Sequence, residues 1–482
     1  MSDSGECLRG RTPRSSSRVG VYRRRRPERT VLHEVVRQNL ETWLARSREA
    51  YPDDDPTPAW VEEEFRRYLT CGILAHGFAR ARCPACGHDF LVAFSCKGRG
   101  VCPSCNARRM AETAAHLVDD VFPQVPVRQW VLSFPKRLRY FLHRDPGLVG
   151  RVLAVVLRAL ERQLRACSPG APAGARFGAV TFIQRFGSAL NAHLHFHICV
   201  IDGVFSRGAA GVLRFHPATR LSQSDVATVQ SFVRHRVLRL FERNGFLSPE
   251  AAQNMREWRY GGGFSLDASV AVEADDRAGL ERLLRYCARP AFSVERLSWR
   301  VEGERVVYRL PKPGPDGTQY VELAVSELFD RLAALIPPPR RHRHRYHGVL
   351  APNAALRRAV TTRAGQPIDM GASQPHTVAA TGACDACEPR RASYLWATLI
   401  ARIYECLPLS CPSCGAEMRL VAFLTDPASV KPMLVHLGLP AEPPRVAPAR
   451  DPPLDDLDQT PTFDPADPVP EPEYEFDQSV SW

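Results

Sequence analysis

Nowhere in the 482 residues does an apolar run reach the roughly 18 to 20 positions needed to cross a bilayer, which excludes a helical membrane anchor. The Arg-rich start lacks the apolar stretch of a secretory signal, so the expected location is the cytoplasm. No period of solenoid type recurs, which removes the repeat architectures. Acidic residues are in deficit, 52 Asp and Glu against 64 Lys and Arg, for a net charge of +12. The deficit is uneven. Residues 441–482 hold eleven acidic and two basic side chains, a net of −9, so the rest of the chain carries +21. A body this basic suits a polyanion, because each cation that meets a phosphate releases condensed counterions. The competing reading is a solvated, Arg-rich surface.

Fifteen cysteines are present, several in pairs two residues apart. In a long chain without an export signal, that clustering points to metal in a reducing compartment rather than to disulfides. Cys83-x2-Cys86, fifteen intervening residues and Cys102-x2-Cys105 form the strongest pattern. Two such knuckles offer four thiolates to one tetrahedral Zn²⁺, and the expectation is a structural site of Cys83, Cys86, Cys102 and Cys105. Cys71, Cys96, His76 and His88 rank behind these four, either as groups supporting the ligands from outside or as substitute ligands. The loop Ser95-Cys-Lys-Gly-Arg-Gly100 and the pair Arg108-Arg109 place cations beside the knuckles. Near the end, Cys411-Pro-Ser-Cys-Gly415 offers half of a second site, with Cys384 and Cys387 as completing candidates and Cys406 as a competitor.

Hydrophobic spacing and turn residues divide the chain into segments. Residues 1–30 read as a disordered basic arm, and 31–118 as helices leading into the zinc-binding module. Over 119–300, strands at 127–134, 178–185, 193–201 and 264–272 alternate with helices at 148–167, 224–243 and 276–289, the pattern of a sheet with helices against it. Residues 301–350 read as a hairpin and a stiff basic connector, 351–393 as linker, 394–440 as a small C-terminal cysteine module, and 441–482 as a disordered acidic, Pro-rich tail.

His193-Leu-His-Phe-His197 lies within one of these strands, so its three imidazoles share a face while Leu194, Phe196 and Ile198 point to the core. Two imidazoles completed by oxygen ligands suit Mg²⁺ or Mn²⁺; three alone suit Zn²⁺. The further ligand is open between Gln184 and His193. In the 276–289 helix, Leu280, Leu283, Leu284 and Cys287 make the buried stripe, and Arg282, Tyr286 and Arg289 line another face. A tyrosine with a pKa near 10 is a poor nucleophile unaided, and arginines a turn to either side supply cations able to clamp a phosphate.

Taken in order, these segments resemble the insertion sequence 91 family of rolling-circle transposases, which belong to the HUH (histidine-hydrophobe-histidine) endonucleases. The residues are Cys71-Gly-Ile-Leu-Ala-His-Gly-Phe-Ala-Arg80, Ser95 to Cys105, Arg185-Phe-Gly-Ser-Ala-Leu-Asn191, His195-Phe-His197 with Asp202-Gly-Val-Phe205, Tyr286-Cys-Ala-Arg-Pro290 and Tyr346-His-Gly-Val-Leu-Ala-Pro-Asn353, within 30–440. The resemblance implies an α+β fold: a central antiparallel sheet flanked by helices, with an N-terminal helical and zinc-ribbon module and a small C-terminal cysteine module. It implies His195 and His197 as ligands of Mg²⁺ or Mn²⁺, Tyr286 as nucleophile forming a 5′-phosphotyrosine, Arg289 beside it, and single-stranded or hairpin DNA ends as partner. Founding members carry two tyrosines a helical turn apart; here the position four after Tyr286 is Pro290, as in the single-tyrosine, common-region branch. The competing functions are a non-catalytic zinc DNA-binding regulator and an HUH relaxase or replication initiator.

Overall fold

Leu194, Phe196 and Ile198 alternate with the histidines, and Leu280, Leu283 and Leu284 repeat at helical spacing; both patterns form the element they call for. The computed structural model describes residues 25–50, 57–208, 211–259, 261–300, 302, 304–314, 316–368 and 411–450. Most of the basic arm, the later part of the linker, Cys384, Cys387, Cys406 and most of the acidic tail lie outside the described residues.

In chain order the strands are β1 (Phe78–Arg82), β2 (Asp89–Ala93), β3 (Val127–Ser133), β4 (Gly178–Phe186), β5 (Ala192–Ile201), β6 (Gly203–Arg207), β7 (Leu213–Pro217), β8 (Ser265–Asp267), β9 (Ala271–Val272), β10 (Leu297–Arg300), β11 (Arg305–Arg309), β12 (Tyr320–Ala324), β13 (His344–Gly348) and β14 (Arg419–Leu424). The α-helices are α1 (Val31–Ala50), α2 (Ala59–Thr70), α3 (Pro103–His116), α4 (Lys136–Arg144), α5 (Pro146–Ala166), α6 (Gln223–Arg243), α7 (Pro249–Glu257), α8 (Arg277–Cys287), α9 (Val325–Leu335), α10 (Arg357–Thr361) and α11 (Pro427–His436). The fold is α+β, with antiparallel sheets flanked by helices.

The chain divides into two units, with 72–94 and 411–443 in the smaller and 27–71, 95–368 and 444–450 in the larger. In the larger unit the sheet runs β13-β4-β5-β3-β8, with β9 also on β3. One face, carrying Trp130, Leu132, Phe134, Leu194, Phe196, Ile198 and Val200, packs with buried residues of α5 and α6 into the main core. Leu194, Phe196 and Ile198 are fully buried, and each such burial contributes about 1.5–3 kcal/mol. A one-residue slip of β5 would exchange them for imidazoles, so the pattern fixes which way the histidines point. The opposite face packs against α8. A third core joins α1, α2 and α9 to the sheet β10-β11-β12.

Two boundaries differ from the sequence reading. Residues 344–348, expected as the end of a connector, form edge strand β13 on β4, from His344 opposite Phe182 to Gly348 opposite Gly178. The linker expected from 351 begins as folded chain: α10 forms, and Gln124 N–H donates to the Gln366 carbonyl at 2.9 Å. In the smaller unit β1 pairs with both β2 and β14, so the N-terminal and C-terminal cysteine segments share one sheet.

Candidate active site and metal centres

The turn at 187–191, closed by Gly187 N–H to the Asn191 carbonyl at 2.9 Å, brings β4 back alongside β5 with Gln184 opposite His195 and Phe182 opposite His197. β3 flanks the other side, with Val131 opposite His197 and Gln129 opposite Cys199. The His195 and His197 ring centroids lie 4.9 Å apart, and His193 stands 5.0 Å from His195. His197 is fully buried and His195 is 2 % exposed. Burial, with the neighbouring histidine and Arg289 adding to it, holds His197 well below the usual imidazole range. Burial likewise pushes His195 down to about 3 and His193 to about 4. These are neutral imidazoles at pH 7, the form that binds metal.

Helix α8 is set by Asp276, whose side chain accepts from Gly279 N–H at 2.7 Å, and by its leucine stripe on the sheet. Gln184 Nε2 donates to the Cys287 carbonyl at 2.8 Å, satisfying one of the open carbonyls at the helix end. Tyr286, in the last turn, meets the same sheet face: its ring centroid is 5.5 Å from that of His197, at 87°. The Arg289 guanidinium lies beyond the helix end, 5.0 Å from the centroid of the Tyr286 ring. Burial raises the Tyr286 phenol above its usual value and Arg289 opposes that rise. Arg282 does not join them; it faces Asp276 at 3.8 Å and is exposed. The distinction comes from the helix ending at Cys287, which takes Arg289 off the helical spacing that grouped it with Arg282.

Both candidates for a further ligand stand beside the histidine pair. Gln184 is 4 % exposed, and among the described residues its Oε1 has no hydrogen-bond partner, as is true of His197 Nε2. A buried carboxamide oxygen beside imidazole nitrogens without partners on one face fits a hard divalent cation completed by water or phosphate oxygens. Sequence reasoning missed Gln129, whose Nε2 lies 2.8 Å from His197 Nδ1 and 3.3 Å from Cys287 Sγ. A glutamine set between Arg128 and the apolar run Trp130-Val-Leu132 of a strand was its signal.

The cysteines require a correction. The four expected around one ion, Cys83, Cys86, Cys102 and Cys105, divide between two clusters: Cys71, Cys96, Cys102 and Cys105 in the larger unit, and Cys83, Cys86, Cys411 and Cys414 in the smaller. Within each cluster all ligand atoms lie within 4.8 Å of one another. Sulfur pairs at 3.5 to 3.7 Å match the roughly 3.8 Å that four Zn–S bonds of ~2.3 Å impose on a tetrahedron, and are far from a disulfide. The physical reason is the backbone on the C-terminal side of each knuckle. Cys83-Pro-Ala-Cys-Gly87 and Cys411-Pro-Ser-Cys-Gly415 are twin turns, Gly87 at φ 74° and Gly415 at φ 73°, with Gly87 and Gly415 N–H donating to the Cys83 and Cys411 carbonyls. Cys102-Pro-Ser-Cys105 instead opens α3, with Pro103 in its first turn and no glycine after it. The repeated Cys-Pro-x-Cys-Gly was the readable sign of the true pairing.

A family model described as "Transposase zinc-binding domain" matches residues 40–134, and one described as "Putative transposase" matches residues 178–358. No curated protein and no solved structure matches the chain. The first span holds all of Cys71, Cys96, Cys102 and Cys105 together with Cys83 and Cys86; the second holds Gln184, His195, His197, Tyr286 and Arg289. With the two spans in order and more than half of its length covered, the chain belongs to the insertion sequence 91 family of transposases that carry an N-terminal zinc-binding domain.

Proposed function

We propose that this DNA transposase moves its element by rolling-circle cleavage and rejoining of single strands, acting in the cytoplasm on single-stranded or hairpin ends of its own element. Tyr286 is the nucleophile, and His195 and His197 hold Mg²⁺ or Mn²⁺ with Gln184 or His193 as further ligand. The observation that carries this reading is the Tyr286 ring 5.5 Å from that of His197, on the sheet face that also bears His195 and Gln184. The ion, when bound, polarises the scissile phosphate as a Lewis acid. The phenol oxygen of Tyr286 attacks phosphorus, the bond from phosphorus to the 3′-oxygen breaks, and the proton lost by the phenol is made up at the departing 3′-oxygen. The product is a 5′-phosphotyrosine and a free 3′-hydroxyl. Because the ester conserves the phosphodiester energy, rejoining to another 3′-hydroxyl needs no ATP. Arg289 donates to the non-bridging oxygens where charge builds up.

Position 290 is proline and α8 has already ended at Cys287, so no second tyrosine stands a turn further on. Tyr286 therefore acts twice, or a free hydroxyl makes the closing attack. The test is incubation of the full chain with Mn²⁺ and single-stranded oligonucleotides from the element's ends, read on denaturing gels. We expect a denaturant-resistant adduct that disappears in Tyr286→Phe with DNA binding retained, and metal-dependent cutting that disappears when His195 and His197 are both changed to Ala. A protein that binds the ends but never cuts them is a zinc-bearing regulator, and the catalytic reading fails.

A further inference from the structure

Gln184, Cys287, Ala288 and Arg289 line a cleft of about 320 Å³. Its remaining lining includes Arg99, Arg109, Arg340, Arg341 and Arg343, and no Asp or Glu. Among the described residues none of these six arginines forms an ion pair with a carboxylate. The carboxylate that reaches them is Glu64, itself buried, whose Oε1 accepts from the backbone N–H groups of Arg99 and Gly100. Like charges crowded into one cleft repel, and Arg343 shows it: burial, then Arg109 and Arg99, push its guanidinium down to about 10. Such an arrangement is costly until a polyanion fills it.

Two segments supply the cations, and both are held in unusual backbone. Arg109 comes from α3, which carries Cys105 in its first turn, and Arg99 from the loop between Cys96 and Cys102. There Lys97 has φ 55°, and a Cβ on Gly98 or Gly100 would come within 2.7 Å of Glu64 Oε1 or 2.5 Å of Ile336 Cγ1. Arg340 opens the other segment at φ 60°. Non-glycine residues in the left-handed region are held there only when their surroundings over-determine them. The ties between the segments are explicit: Arg343 Nη1 donates to Asn106 Oδ1 at 3.0 Å, Asn106 Nδ2 to the Gly100 carbonyl at 2.7 Å, and Arg99 Nη1 to the Pro338 carbonyl at 3.4 Å.

We propose that the Cys71, Cys96, Cys102 and Cys105 centre is a structural part of the catalytic cleft, and that this cleft grips the sugar-phosphate backbone of the strand flanking the scissile phosphate through Arg99, Arg109, Arg340, Arg341 and Arg343. The inference rests on the reading of the chain as a single-strand transferase and adds to it a strand path and a role for one zinc centre. Because the proposed reaction acts on single strands, the ligand taken for the cleft is a single strand. Arg108, adjacent in sequence, is not part of it and pairs with Glu112 at 2.7 Å.

The test is fluorescence anisotropy of a labelled fifteen-residue oligo-dT with the full, zinc-loaded chain, without divalent ion, over a series of salt concentrations. Arg99→Ala with Arg109→Ala should weaken binding about tenfold and lower the salt slope by about 1.4, since each lost phosphate contact on a single strand removes about 0.7. Arg158→Ala with Arg239→Ala removes the same charge from exposed positions on α5 and α6 and should shift affinity less than twofold. Equal losses in both pairs, or no loss in the first, overturn the proposal. Glu64→Ala keeps every cysteine and arginine but frees the loop; zinc content unchanged with affinity at least threefold weaker supports the positioning role, and unchanged affinity contradicts it. Loss of strand binding in the first pair while wild type forms no Tyr286 adduct would leave the cleft standing and the nucleophile refuted. An adduct with undiminished binding in that pair would do the reverse.

Discussion

A histidine that binds metal through Nε2 must carry its proton on Nδ1, so whatever faces Nδ1 decides whether the ring is a ligand. For His197 that group is the Gln129 carboxamide. Its nitrogen donates to Nδ1 at 2.8 Å, which places the ring proton on Nε2; half a turn of the amide presents its oxygen instead and frees Nε2 as a lone pair. Gln129 is thus a positioning residue for the proposed metal site. Gln129→Leu should weaken Mn²⁺ dependence of cleavage by about 10–100-fold, with oligo-dT affinity unchanged and Gln129→Glu restoring it; an unaltered Mn²⁺ titration in the leucine variant would remove Gln129 from the site. Half-buried histidines elsewhere set an acid limit. His344 and His347 are each pushed down to about 4, chiefly by burial, with Arg343 and Arg345 among the neighbouring charges. Their folded values lie below the ~6.5 of the unfolded chain, so the unfolded state takes protons first as pH falls. Their contribution is complete above about 6.5 and is lost toward 4. Thermal melts at pH 7.5 and pH 5 should differ by several degrees in that order, and a Tm independent of pH in this window would contradict it.

At the scale of elements, the strands and helix that build the site were readable because each carries an unambiguous period. β5 alternates apolar and imidazole side chains, α8 repeats leucines at helical spacing, and Pro135 and Pro290 mark where elements stop. β13 was not readable: His-Arg-Tyr-His-Gly has no alternation, and it is a strand only because β4 offers an open edge. Its last residue shows how close that approach is. Gly348 sits at φ 59°, and a Cβ there would collide with the Phe177 carbonyl oxygen, so Gly348→Ala should destabilise the edge. The cysteine partition was hidden for a different reason. Cys86 and Cys411, 3.5 Å apart at sulfur, are 325 positions apart in sequence, and spacing rules weigh only near neighbours. Elemental analysis should find two zinc ions per chain, with Cys71→Ser and Cys83→Ser each losing a different one. A single ion, removed by both substitutions, would return the ligands to the one-site arrangement.

For the molecule as a whole, charge and connectivity agree. Among the described residues no helix is long and apolar enough to cross a membrane, and the excess of cations over residues 1–440 meets the polyanion that a transposase handles. The order of motifs was enough to identify the family, while the distances that turn motifs into a site came only from the fold: the histidine pair against Tyr286, Gln129 behind His197, and the arginines of two remote segments in one cleft. The proposed chemistry stands or falls on where DNA becomes attached. Peptide mass spectrometry of the adduct trapped with Mn²⁺ and an end-derived single strand, after nuclease trimming, measures this directly. The expected result is a nucleotide phosphate on the peptide that contains Tyr286 and on no other; attachment at a different tyrosine, or recovery of the Tyr286 peptide wholly unmodified from cleaving protein, would contradict it.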